Sequence, residues 1–203
     1  ALTSSDPNDS RPSEYQTDPQ ALSLLQGTTS VNWVFTTANA GGWTLTATAP
    51  GLNVSTSTSP SIPVTAGAAR TLQVLLPGET AVPGVGTYNL NGTGKTGTPQ
   101  NWVTGVSSQV VVNVVDKHFN TLPGAAITVQ VSNNTDLYVS NQNAAFSGTH
   151  TYNFTLVTAT AATTFTASRI SGTALDPSSS TVTSSSFAVS ANTPVKLQVL
   201  VPG

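Results

Sequence analysis

The sequence predicts an all-β fold, and three observations carry that prediction. Apolar and polar residues alternate with a period of two in several short runs, the mark of strands with one buried face. β-Branched residues dominate those runs, and Pro and Gly punctuate the chain between them. No stretch repeats its apolar residues at helical spacing; "PQALSLLQG" (19–27) has room for a short turn at most. Many short strands divided by turn signals indicate a β-sandwich.

Taken in order, "WTLTATA" (43–49) turns Trp43, Leu45 and Ala47 to one face, and Trp33 and Trp43 read as internal. Residues 77–99, rich in Pro and Gly, read as an exposed hairpin or a connection between modules. "NLNGTGKTGT" (89–98) within it ends like a phosphate-binding loop. That pattern needs Gly where Asn89 stands and a helix starting near Lys95, whereas Pro99 and β-rich sequence follow. Strands are expected at 107–116, at "AITVQVS" (126–132), with Ile127, Val129 and Val131 inward, and at "TYNFTLV" (151–157), with Tyr152, Phe154 and Leu156 inward.

The chain also repeats itself. Residues 62–78 ("IPVTAGAARTLQVLLPG") match 187–203 ("FAVSANTPVKLQVLVPG") without a gap, at a spacing of 125 residues. "GTTSVNWVFTTANA" (27–40) matches "GTHTYNFTLVTATA" (148–161) at a spacing of 121, and "LTSSDPNDS" (2–10) corresponds loosely to 131–139. A unit of about 125 residues suits one β-sandwich module, and the chain carries about one and a half. The expected organisation is an incomplete module at 1–68, a complete one at 69–193, and the first strand of a following module, or a linker, at 194–203. On this reading the missing strands of the first module come from a longer tandem array or from a neighbouring chain.

At "VNVVDKHFNTLPGAAITV" (112–129) the chain resembles the bacterial immunoglobulin-like tandem repeats of invasin- and intimin-type surface proteins. Val112, Val114, Asp116, Asn120, Gly124, Ile127 and Val129 carry the resemblance, and Phe119 departs from it where a Gly usually precedes the Asn. The resemblance implies tandem immunoglobulin-like β-sandwich modules and a location on the cell surface.

Composition bounds the chemistry. Charged residues are 7% of the 203, against about 25% in an average domain, and the net charge is −2, so no basic surface for nucleic acid is expected. No apolar run approaches the roughly 18 residues of a membrane-spanning helix. Cys and Met are absent. Few charges, many hydroxyl side chains and no sulphur suit an extracellular protein of microbial origin. His118 and His150 lie outside any nucleophile-elbow pattern and the eight acids are scattered, so no enzyme is expected.

Hard cations choose clustered oxygen ligands, and Asp116 with Asn120 is the best Ca²⁺ candidate; turn capping is the competing role for the same residues. Trp102, in "PQNWVTG", is the one aromatic expected in a loop, where it could bind a ligand. The expected function is a structural one, modules building a stalk, filament or surface layer. Its partners are copies of itself or neighbouring modules. The alternative is an adhesin module that binds a receptor or glycan.

Overall fold

The computed structural model describes residues 1–9, 27, 30–49, 51, 55–85, 93–175, 180–197 and 199. Among these the protein is all-β, without a helix. The "PQALSLLQG" turn lies outside the described residues, apart from Gly27.

Two sheets share the hydrophobic core. One has strand order β13-β10-β6, from Thr149–Thr155, Ser107–Val115 and Thr71–Leu75. The other runs β12-β11-β15-β16, from Gln142–Ser147, Ala126–Asn133, Phe165–Gly172 and Thr181–Thr183. All pairings within both are antiparallel. The period-two pattern decides which side chains enter. Val110, Val112 and Val114 of β10, Tyr152 and Phe154 of β13, and Leu72 and Val74 of β6 are buried against Ile127, Val129 and Val131 of β11 and Phe165 and Ala167 of β15.

A small third sheet closes one end. β17 (Phe187–Ser190) pairs antiparallel with β14 (Thr160–Thr163) and parallel with β9 (Trp102–Val103). It delivers Trp102 into the core, 3% exposed, with its ring 4.9 Å from Phe187 and 5.4 Å from Phe165. The expectation of Trp102 as a loop aromatic available to a ligand is therefore corrected. Its strand is two residues long and pairs with residues far away in sequence, so the Pro and Gly around it dominate the local reading.

The hairpin expected at 77–99 contains β7 (Glu79–Ala81) paired with β8 (Lys95–Gly97). Lys95 thus opens a strand where a phosphate loop needs a helix. Its ammonium lies 2.9 Å from the Glu79 carboxylate and donates to the carbonyl of Val74 at 3.1 Å.

The N-terminal part is built differently. β1 (Leu2–Ser4), β3 (Leu45–Ala47) and β4 (Ser57–Thr58) form one small sheet, and β2 (Asn39–Trp43) pairs with β5 (Ile62–Val64) in another. "WTLTATA" is thereby divided between two sheets, with Trp43 and Leu45 half-buried and Ala47 exposed. Trp33, expected inside, is half-buried as well, as is Phe35. Among the described residues, every buried apolar side chain lies at or beyond Leu72; those buried before residue 70 are Asp6, Thr36 and Thr37.

Phe154→Ala removes a fully buried ring and should cost about 3–5 kcal/mol in urea unfolding. Thr155→Ala, on the exposed face of the same strand, should cost less than about 1 kcal/mol. Equal losses would contradict the inward face assigned to β13.

Candidate functional site

A densely bonded polar site lies where the N-terminal part meets the main body, at the turn after β10. Val115 bridges to Thr121, and Asp116 N–H donates to the Asn120 carbonyl at 3.0 Å, so residues 116–120 form a closed loop. Asp116 and Asn120 are both buried. A buried carboxylate is costly unless several donors satisfy it. Oδ1 of Asp116 accepts from the N–H of His118 (2.8 Å) and of Asn120 (3.0 Å). Oδ2 accepts from Gly67 N–H (2.8 Å) and the Asn120 amide (2.9 Å).

Asn120 faces the other way, toward the N-terminal part. Its Nδ2 donates to the Thr36 carbonyl at 2.8 Å, and its Oδ1 accepts from Ala38 N–H at 2.8 Å. One side chain therefore pairs with the backbone of 36–38 as a neighbouring strand would. The two residues expected as Ca²⁺ ligands are brought together, but their oxygens point at N–H groups, which a cation would have to displace. Among the described residues no group of three or more His, Asp or Glu could hold a metal ion.

Closing this loop constrains Phe119. It has φ 61°, the one non-glycine with positive φ among the described residues. The departure noted at this position is thus a bulky residue in a conformation that favours glycine. Its ring is buried against Gly94, where a Cβ would come within 2.0 Å of it. Gly84 makes a second close approach. It donates to the His118 carbonyl at 2.7 Å, has φ 84°, and leaves space for Thr37, whose Oγ1 would lie 1.9 Å from an added Cβ.

The segment docked on Asn120 is itself held by a carboxylate. Asp6 Oδ2 accepts from Thr36 N–H (2.9 Å) and Thr37 N–H (3.1 Å), while Oδ1 accepts from Asn8 N–H (3.0 Å). The Asn8 side chain donates to Thr37 Oγ1 and to the Pro83 carbonyl (3.1 Å), adding a further tie to the main body. The same arrangement occurs in the body. Asp136 Oδ2 accepts from Val157 N–H (2.6 Å) and Thr158 N–H (2.9 Å), and Oδ1 from Tyr138 N–H (3.2 Å) and the Thr158 hydroxyl (3.1 Å). Thr36 and Thr37 precede Val157 and Thr158 by the 121 residues of the sequence match. Sequence reasoning missed these two clamps, although Asp6 and Asp136 stand in the two stretches, 2–10 and 131–139, that it matched to each other.

Among the described residues the N-terminal part brings no fully buried apolar side chain to the junction. Two clefts flank it, of about 520 Å³ (with Phe35, Arg70, Lys117 and Leu175 on its walls) and about 600 Å³ (with Ala38, Ala66, Leu122 and Pro123). The other residues of interest lie elsewhere. His118 is half-buried in the turn, and His150 is half-buried between the rings of Phe146 (5.3 Å) and Tyr152 (4.7 Å). Burial pushes the Tyr152 hydroxyl up to about 12, and it donates to the Val129 carbonyl.

Burial pushes the carboxyl of Asp136 up, but the N–H donors of Thr158, Val157 and Tyr138 outweigh it and hold the group below its ordinary value. Glu79 behaves alike: burial raises it, and Ser185, Lys95 and the Leu76 N–H together bring it below the usual range. No protein-family model and no curated protein sequence matches the chain.

Two outcomes follow. Asn120→Ala should free the Ala38 amide to exchange with solvent at pH 7, while amides of Val112 and Val129 stay protected. An unchanged Ala38 would mean that the junction is held by other contacts. The depressed carboxyls bind protons more weakly folded than unfolded. Their contribution is complete above the ordinary carboxylate pKa of about 4 and is lost as pH falls through the lower folded values. Asp136→Asn should therefore shrink the drop in urea midpoint between about pH 5 and pH 3; an identical drop in both proteins would refute the assignment.

Proposed function

We propose that this chain is a structural extracellular protein. Immunoglobulin-like β-sandwich modules of about 125 residues, joined in tandem, build a stalk, filament or surface layer. The observation that carries the reading is the pair of matching clamps. Asp6 with Thr36 and Thr37, and Asp136 with Val157 and Thr158, hold loops that match at a spacing of 121 residues, the aspartates themselves lying 130 apart, and the first of these loops is bonded to Asn120. A joint made of directional hydrogen bonds fixes the angle between successive units, which a spacer requires and a freely hinged pair of domains lacks. The resemblance of 112–129 to bacterial surface repeats supports the cell-surface location.

The adhesin reading has less to stand on, because its aromatic candidate, Trp102, packs in the core. Electron microscopy of the native material tests the proposal. β10, nine residues long, spans about 30 Å at about 3.3 Å per residue, so linear particles with a period of about 30–40 Å are expected. Isolated compact particles at every concentration would defeat the structural reading.

A further inference from the structure

The loop that docks on Asn120 has a counterpart on the main body, and the two differ in exposure. Thr36, Thr37 and Ala38 match Val157, Thr158 and Ala159. In the N-terminal part this face is covered: Thr36 and Thr37 are buried and Ala38 is half-buried. In the body, Val157 is 52% exposed and Ala159 is exposed too. Asn8, two residues after Asp6, reaches the Pro83 carbonyl; Tyr138, two residues after Asp136, is 84% exposed. An open apolar and aromatic patch thus stands where the matching polar loop is already docked.

The connecting segments match in the same way. Residues 62–78 lead from the N-terminal part into the body, delivering Gly67 N–H to Asp116 and then β6, whose Leu72 and Val74 are buried. Residues 187–203 repeat that sequence, with Leu197 and Val199 at the positions of Leu72 and Val74. Leu197 is 100% exposed and Val199 87%. The segment whose sequence matches the opening of the body thus follows Asn192, which is bonded to Thr104, next to the Gly105 N–H that donates to the Leu156 carbonyl.

We propose that the face formed by Tyr138, Val157 and Ala159 is the docking site for a following unit of the same repeat, carried on the same polypeptide through 194–203. The unit presents its own Asp-x-x-x-Asn turn, whose asparagine pairs with the backbone of 157–159 as Asn120 pairs with 36–38. A second copy of this chain is the poorer occupant, because its Asp116–Asn120 turn is already engaged by its own Thr36 and Ala38. The inference rests on the tandem reading and names the surfaces that meet.

The test extends residues 1–203 at the C-terminus with a second copy of residues 79–193, so that 194–203 opens the added unit as 69–78 opens the body. Two reactions are followed at residue level in both proteins: amide exchange at Ala159, and nitration of Tyr138 by tetranitromethane. Both should slow at least about tenfold in the extended chain. Replacing the added unit's counterpart of Asn120 by Ala should restore fast exchange at Ala159 while that unit remains folded. The proposal is overturned if the added unit folds cooperatively and both sites react as in 1–203. It is equally overturned if they become protected in 1–203 itself as concentration rises, since the occupant is then a second copy. An added unit that fails to fold defeats the tandem reading, and the proposal falls with it.

Discussion

The Asp116 carboxylate is the constraint on which the middle of this structure depends. It is buried with four N–H donors aimed at it: the backbone N–H of His118 and of Asn120 in its own turn, the Asn120 side-chain amide, and the Gly67 N–H. Satisfying it closes the 116–120 loop, and that closure puts Phe119 at φ 61°. The Phe119 ring then lies across Gly94, whose lack of a side chain lets it approach. Gln73 holds the carbonyl of Gly94 at 2.7 Å and Asn113 at 3.0 Å, so the outer face of β6 and β10 is tied to the same turn. The next residue, Lys95, then reaches Glu79. A left-handed non-glycine costs about 1–3 kcal/mol and persists where its surroundings over-determine it. Here the carboxylate supplies that determination.

The two parts of the molecule are stabilised by different forces. The body buries valines and aromatic rings between two sheets, at about 1.5–3 kcal/mol for each large side chain. The N-terminal part buries Asp6, Thr36 and Thr37, and it is joined through hydrogen bonds worth about 0.5–1.5 kcal/mol each. Its geometry is consequently specified more strongly than its stability. The junction sets where residues 36–38 lie to within a hydrogen bond.

Legibility in the sequence followed the same division. Alternation identified Tyr152, Phe154 and Leu156, and Ile127, Val129 and Val131, as inward-facing because a period of two is a local property of one strand. It failed at Trp43 and Leu45, where one alternating run serves two sheets. It failed at Trp102, whose partners Phe165 and Phe187 are more than sixty residues away. Lys95 sits in a Gly- and Thr-rich stretch that reads as loop, and nothing local announces that Glu79 will pair with it. Asp116 and Asn120 were legible as important oxygen-bearing residues. Whether such oxygens meet cations or N–H groups depends on chain segments fifty and eighty residues distant, Gly67 and Thr36–Ala38.

The low charge content bears on how such joints work. Surface ion pairs weaken with salt, because exposed charges are screened within about 8–10 Å at physiological ionic strength. In this chain, with 7% charged residues, the bonds described at the junction join a buried carboxylate and a buried amide to backbone N–H and carbonyl groups. The Lys95–Glu79 pair obeys the same rule: the Glu79 side chain is 2% exposed, so its partner's charge acts with little screening. Asp6, Asp116 and Asp136 each turn one buried negative charge into several fixed backbone positions. Geometry held in this way varies little with ionic strength, because each carboxylate and the N–H groups that converge on it are buried together.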